Sequence, residues 1–307
     1  MSFISREASE SDFAIVQRIV DANQQFFNPN EISVGESEAR ELVRGFDDPA
    51  ISRILKSSEE ADWECFISLH PDKSRERLYL EMFRTPGSAL LQEGLELAIS
   101  WAVESFNTFR IWVGLQASDD EYRALLEENG YSLLRRYWAM QMNLASAPAI
   151  ELADGMELIE VGDDGALLFE MWQIHQDSFS EHFGFLPRAF EEWSAKLIRD
   201  IEEFGQRCWI LRVNGEGVGF VDTDDHLLHD KSGFVAGLGV RKAHQGNGYG
   251  ELLLRFAIRS QRDLGREKLT LSVDAGNESG ALRLYEKVGM NVHSEWHHYE
   301  NPNWARA

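Results

Sequence analysis

The 307 residues contain only two cysteines and seven prolines, and basic side chains are outnumbered by acidic ones, 30 to 52. Cys65 and Cys208 cannot build a disulfide framework. Each sits in an apolar run close to a tryptophan, so both are read as buried, reduced thiols. No apolar run approaches the roughly 18 residues of a membrane span. The start, Met1-Ser2-Phe3-Ile4-Ser5-Arg6-Glu7, has neither a basic nor an apolar leader region. A cytoplasmic protein with no membrane partner is therefore expected, and the sequon Asn277-Glu278-Ser279 has no role on that expectation. The formal net charge of −22 disfavours a nucleic acid or an anionic bilayer as partner. The charge serves solubility and is compatible with a cationic small molecule; monomer and homodimer both stay open. What is present is ample: 43% hydrophobic and 11% aromatic residues, enough to exclude wholesale disorder. The length suggests two domains.

A faint duplication supports the pair. Glu121-Tyr122-Arg123-Ala124-Leu125-Leu126-Glu127-Glu128-Asn129-Gly130-Tyr131 and Gly280-Ala281-Leu282-Arg283-Leu284-Tyr285-Glu286-Lys287-Val288-Gly289-Met290 both read as short amphipathic helices closed by glycine. Gly130 and Gly289 are 159 residues apart, and the same offset pairs Arg110–Gly114 with Leu269–Val273. Each half reads β-α-α-β-β-β-α-β-α-β, which predicts an α/β fold: two tandem domains, each a mostly antiparallel twisted sheet flanked by helices. In the second half the helices are expected around Gly165–Gln176, Pro187–Glu203, Gly248–Leu264 and Glu278–Lys287. Its strands are expected at Arg207–Val213, Gly217–Asp222, Gly233–Val240, Leu269–Val273 and Met290–Tyr299. The small-residue join Leu144-Ala145-Ser146-Ala147-Pro148-Ala149 sets the domains at 1–147 and 153–307.

The sharpest local signal is Val240-Arg241-Lys242-Ala243-His244-Gln245-Gly246-Asn247-Gly248-Tyr249-Gly250-Glu251, which follows an apolar strand and opens a helix. Glycines let a backbone turn tightly and bring N–H groups to a ligand, and the helix start adds unpaired donors. Arg241 and Lys242 add local positive charge to an acidic chain. A P-loop is excluded by the missing Gly-Lys-Ser/Thr. A dinucleotide fingerprint starting at Gly248 fails at Leu253.

Gln245-x-x-Gly248-x-Gly250 resembles the acetyl-CoA motif of the GNAT superfamily of N-acetyltransferases. Leu238-Gly239-Val240 resembles that family's fourth strand, and Asn277-x-x-x-Ala281-x-x-Leu284-Tyr285-x-x-x-Gly289-Met290 its later helix block, with only the last aromatic changed to Met. The match covers about 155–300; the first half resembles the family by layout, and the tandem plan resembles double-domain acetyltransferases. The resemblance implies acetyl-CoA as co-substrate, no metal, and transfer to a primary amine, of a small molecule, by direct attack in a ternary complex. It implies that backbone groups of Leu238 and Val240 pair with the pantetheine arm. Gln245, Gly246, Asn247, Gly248, Tyr249 and Gly250 would hold the pyrophosphate, Asn277 would bond across the cofactor arm or cap the helix, and Tyr285 would protonate the leaving thiolate.

Many relatives carry a glutamate on the fourth strand as base; Gly233-Phe234-Val235-Ala236-Gly237-Leu238-Gly239-Val240 has no acid. Asp222, Asp274, His182 and Glu181 are left as candidates. The missing acid also supports a second reading, a silent acyl-CoA-binding or sensing protein; a third is a protein or peptide N-acetyltransferase, for which a long open acidic groove would be the structural hint. His182-Phe183-Gly184-Phe185 occupies the region that lines the acceptor pocket in the family. His297 and His298 are adjacent on a strand and point to opposite faces, which disfavours a metal. At the offset of 159, Gly248 maps to Ala89, Gly250 to Leu91, Gln245 to Pro86, Asn277 to Ser118 and Tyr285 to Leu126. The first half is therefore expected to be degenerate and non-catalytic.

Overall fold

The computed structural model describes residues 3–45, 48–145, 150–276 and 280–304. These fall into two compact units. Unit 1 holds the described residues within 1–138, 274–276 and 293–307, and unit 2 those within 139–273 and 277–292.

Unit 1 runs β1 (Ile4–Glu7), α1 (Phe13–Phe27), α2 (Glu36–Arg44), β2 (Ile51–Lys56), β3 (Cys65–Asp72), β4 (Arg77–Arg84), α3 (Leu91–Phe106), β5 (Arg110–Gln116), α4 (Asp120–Glu128) and the start of β6 (Ser132–Asn143). The strand order is β1-β2-β3-β4-β5, and the sixth place is taken by β12 (Asn291–Glu300), the last strand of the chain. β12 pairs antiparallel with β5, from Trp296 opposite Gln116 to Glu300 opposite Trp112. Neighbouring strands are antiparallel except β4 and β5. One sheet face packs Ile67, Leu80 and Val113 against α3 and α4; the other packs Ile54, Phe66 and Phe83 against α1 and α2. Two faces covered by helices explain why these strands are apolar nearly throughout.

Unit 2 repeats the plan: β7 (Met156–Val161), α5 (Gly165–Phe179), α6 (Phe190–Phe204), β8 (Arg207–Val213), β9 (Glu216–Asp224), β10 (Ser232–Val240), α7 (Tyr249–Asp263), β11 (Lys268–Asp274) and α8 (Ala281–Val288). The order is β11-β10-β9-β8-β7, with the end of β6 beside β11, where Leu144 N donates to Glu267 O at 2.8 Å. Asp164 caps α5 by accepting from the N–H groups of Ala166 and Leu167. Helix α7 buries Leu253, Leu254, Ala257 and Ile258, the i, i+1, i+4, i+5 stripe of an amphipathic helix. α5 and α6 cover the opposite face through Leu168, Met171, Ile174, Trp193 and Leu197.

The expected element order is present in both halves of the chain. The units are not the contiguous segments 1–147 and 153–307, however, because β12 completes the first sheet and the end of β6 joins the second. Residues 146–149 of the join lie outside the described residues. Helix α6 starts at Phe190, so Pro187 precedes it instead of standing at its first position, where Ala189 is the N-cap. Cys65 and Cys208 are free and buried, and burial pushes the Cys65 thiol up to about 12. Among the described residues no helix is long and apolar enough to cross a membrane.

Candidate active site

Strands β10 and β11 run parallel from Ser232 opposite Lys268 to Val235 opposite Leu271, and their ladder goes no further. On its other side β10 continues with β9 through Val240 opposite Gly219, with a bulge between Val235 and Gly237. The bulge increases twist and re-aims the strand. Ala236 is exposed there. Leu238 and Val240, both half-buried, are therefore hydrogen-bonded on one edge while the edge toward β11 is open.

The loop after β10 turns through Lys242–His244, then reaches Gly246 and Gly248 at φ of +80° and +81°. L-residues rarely adopt that left-handed region. Among the described residues nothing lies within 4 Å of where a Cβ would stand on either glycine, so they leave the backbone itself open to approach. Gln245 Nε2 donates to Val240 O at 3.2 Å, and Asn247 Nδ2 donates to His244 O at 3.0 Å. These two side chains fix the loop's shape and leave its backbone free. Gly248 is the N-cap of α7 and supplies no side chain, so the N–H groups of Tyr249, Gly250 and Glu251 have no acceptor in the helix. With those of Gly246, Asn247 and Gly248 they form a run of donors without partners among the described residues. Such a run at a helix N-terminus binds anions.

Gly250 stands inside the first turn of α7, where a Cβ would meet Leu284 Cδ2 at 3.4 Å, ordinary contact. That closeness seats α8, and Tyr285 with it, beside the loop. Tyr285 is 9% exposed, and its hydroxyl has no hydrogen-bond partner among the described residues. Burial raises its pKa above the ordinary phenol value, which keeps the proton on oxygen. Asn277 lies outside the described residues. A cleft of about 250 Å³ opens beside the turn, lined by Ile150, Glu151, Gly248, Glu251, Leu252 and Arg255.

The local cations are less available than the sequence suggests. Lys242 Nζ lies 2.7 Å from Glu181, His244 Nε2 lies 3.2 Å from Glu216, and Arg241 Nε donates to Gly217 O at 2.8 Å. Glu251, the acid in the first turn of α7, is held by Lys287 at 2.6 Å and Arg255 at 2.9 Å. Bonds from those cations lower its pKa.

On the α5–α6 side of β10 lies a group the sequence reading underrated. A Cβ on Gly237 would stand 2.6 Å from Asp222 Oδ1, and one on Gly239 would stand 2.6 Å from Phe220 Cε1 and 2.8 Å from Ser178 Cβ. The two glycines let Asp222 and Phe220 lie against the β10 backbone. Asp222 is 8% exposed; Oδ2 accepts from Gln206 Nε2 at 3.1 Å, Oδ1 makes no well-formed hydrogen bond among the described residues, and the backbone N–H groups of Gly237 and Asp222 lie near the carboxylate. Burial, with the charge of Asp224 behind it, pushes the Asp222 carboxyl up to about 7. Next to it Phe220 meets His175, whose ring lies 5.7 Å away, 4.9 Å from Phe179 and 5.7 Å from Trp193. Burial lowers His175 to about 4, so it is neutral near pH 7. His182 stacks edge-on against Phe179. Asp274 accepts from Gly276 N at 2.8 Å and lies 3.7 Å from Arg135.

The corresponding place in unit 1 is built differently. Strands β4 and β5 run parallel from Arg77 opposite Arg110 to Glu81 opposite Gly114. Beyond that ladder their ends are bridged: Arg84 Nη1 and Nη2 reach Asp119 at 2.7 and 3.0 Å, and Nη2 reaches Glu121 at 2.9 Å. Arg84 and Asp119 are both buried. The N-caps of α3 and α7 are Leu90 and Gly248, 158 apart, so Gly248 corresponds to Leu90 and not to Ala89. The offset drifts because loops differ in length. Leu126 does correspond to Tyr285: Tyr131 N donates to Leu126 O as Met290 N donates to Tyr285 O.

Residues 168–290 match the family model described as acetyltransferase (GNAT) family. A mycothiol acetyltransferase of Paenarthrobacter aurescens is 32% identical over 173 residues, 52% of this chain and 51% of that protein. A second, of Mycobacteroides abscessus, is 29% identical over 223 residues, 67% of this chain and 66% of that protein. The chain thus spans about half to two thirds of the length of these relatives. Among solved structures, a GCN5-related N-acetyltransferase from Sphaerobacter thermophilus superposes with a TM-score of 0.81 at 20% identity, covering 97% of this chain and 95% of that one. A tandem GNAT protein from the clavulanic acid biosynthesis pathway gives 0.71 at 14% identity, covering 97% and 98%. The fold is therefore that of tandem GNAT proteins, and residues 168–290 belong to the GNAT acetyltransferase family.

Proposed function

We propose that unit 2 transfers an acetyl group from acetyl-CoA to a primary amine of a small molecule, by direct attack with both reactants bound. The observation that carries this reading is the continuity between the open edge of β10 and the run of unpartnered N–H groups from Gly246 to Glu251. An extended amide-bearing arm ending in a diphosphate needs both, in that order. When bound, acetyl-CoA supplies an activated acyl group as a thioester. The backbone of Leu238 and Val240 pairs with its arm, and Gly246 to Gly250 hold the pyrophosphate through N–H donors more than through Arg241 or Lys242, while Gln245, whose N–H is bonded to Lys242 O at 3.3 Å, shapes the loop. An N–H of the β10 bulge region polarises the acyl carbonyl. Tyr285 gives its proton to sulfur. Holding the two reactants together provides much of the acceleration.

The small-molecule acceptor draws on the two relatives that are mycothiol acetyltransferases. Unit 1 binds no acetyl-CoA in this reading, because the Arg84–Asp119 pair fills the place that unit 2 leaves open. A thiol-release assay with acetyl-CoA across a panel of primary amines tests the proposal. Acetyl-CoA binding without turnover of any amine would favour a silent acyl-CoA-binding protein; turnover of peptides alone would favour a peptide acetyltransferase.

A further inference from the structure

We infer that Asp222 is the general base of unit 2, its carboxylate reaching the acceptor amine from β9 and replacing an acid that β10 lacks. The inference rests on the acetyl-transfer reading of that unit. Strand β10 carries no acid from Ser232 to Val240. At its bulge, Gly237 stands opposite Asp222 in the β9 register. A side chain at 237 would strike Asp222 Oδ1, so the glycine is what admits the carboxylate to the strand's surface, one residue from Leu238. Oδ2 is tethered by Gln206, while Oδ1 is buried and makes no well-formed hydrogen bond among the described residues, the backbone N–H groups of Gly237 and Asp222 being the donors near the carboxylate. A buried carboxylate held this lightly is costly to a fold and is retained where something arrives to use it.

The other three candidates are engaged elsewhere. Glu181 faces Lys242, Asp274 faces Arg135, and His182 lies against Phe179. A carboxylate neutralised by a cation is a weak base, whereas Asp222 has no cation beside it. The groups around it are Asp224 on its own strand, Cys208 opposite on β8, Gln206, and the backbone N–H groups of Gly237 and Asp222, which hold the carboxyl down a little; Asp200 of α6, paired with Lys196 at 3.3 Å, acts on Cys208 and Asp224, and His175 of α5 faces Phe220. This surrounding is acidic or neutral. It keeps the carboxyl near the midpoint of its titration at neutral pH, where a base works best.

In the step, Asp222 takes a proton from the acceptor's ammonium nitrogen and so frees the lone pair that bonds to the acetyl carbon. The carbon–sulfur bond then breaks and its electron pair leaves on sulfur, which receives the Tyr285 proton. Solvent removes the proton from Asp222 and the remaining excess proton from nitrogen and restores that of Tyr285, so ammonium and thioester give amide, thiol and one proton.

Two probes of similar length test this: phenethylamine, an ammonium ion at neutral pH, and O-benzylhydroxylamine, which is neutral. Wild type and Asp222→Asn are compared for acetyl transfer from acetyl-CoA to each, with acetyl-CoA affinity measured by calorimetry as the folding control. Asparagine is isosteric and can keep the Gln206 bond. The expected result is a loss of kcat/KM on the order of 100-fold or more toward phenethylamine, little loss toward O-benzylhydroxylamine, and unchanged acetyl-CoA affinity. Wild-type kcat/KM for phenethylamine rises with pH through about 7, because the base must be ionised, and this limb disappears in the variant. Equal losses toward both probes, or a variant that keeps the limb, would overturn the assignment while leaving acetyl transfer standing. Absence of transfer by wild type to either probe would overturn both.

Discussion

Gly248 offers the most direct test of the anion loop. At φ +81° with nothing among the described residues within 4 Å of its missing Cβ, substitution there meets no clash with them; the cost is backbone strain. A left-handed residue with a Cβ costs roughly 1–2 kcal/mol. Gly248→Val cannot easily carry that strain, and rotating the peptide to relieve it turns an N–H away from the ligand. One hydrogen bond to a charged group is worth about 1.5–3 kcal/mol, so acetyl-CoA affinity should fall roughly 10- to 150-fold. Gly248→Asn should lose less, because asparagine tolerates the left-handed region. Gly165→Ala serves as the contrast. It opens α5 with no left-handed φ and nothing within 4 Å of its missing Cβ among the described residues, so affinity and stability should hardly change. Calorimetric titration with acetyl-CoA and urea unfolding of all three variants separate binding from stability. Should Gly248→Val lose stability by the full strain yet bind acetyl-CoA like wild type, the left-handed turn serves the fold only and the pyrophosphate assignment fails.

Tyr285→Phe should lower kcat by about 100-fold or more while leaving acetyl-CoA affinity nearly intact; unchanged turnover would refute its role as acid. Titration should give one acetyl-CoA per chain, and two tight sites would contradict the reading of unit 1. Arg84→Met should destabilise the protein by about 3–5 kcal/mol, because it strands the buried Asp119 carboxylate. Adding Asp119→Leu should recover much of that loss in a denaturant double-mutant cycle. Additive losses would mean the two side chains are not coupled.

Much of this was legible in the residues. Apolar stripes and turn glycines placed α7 and α8, and the spacing of Gly248 and Tyr285 anticipated the loop and the helix beside it. Helix α6 begins three residues after Pro187 because a proline suits both a first turn and the loop before one, and sequence alone does not separate them. Asp222 was visible only as a strand-end acid. Its meaning depends on the cross-strand register that sets it over Gly237, and register follows from a bulge that no single residue announces. The Arg84–Asp119 pair was missed for a related reason: 35 residues of sequence separate the partners, and a constant offset of 159 misaligns the loop preceding α3. Nor could an apolar strand such as β12 declare which sheet it completes.

That last strand has a consequence for how the protein comes into being. Domains made on the ribosome ordinarily fold in order, the first before the last. Here the first sheet lacks its sixth strand until residues 293–300 have been synthesised, so the β5 edge waits through more than half of translation with its N–H and C=O groups unpaired. The two units therefore finish together, late, and a gene fragment ending at the join would encode an incomplete sheet with an adhesive edge.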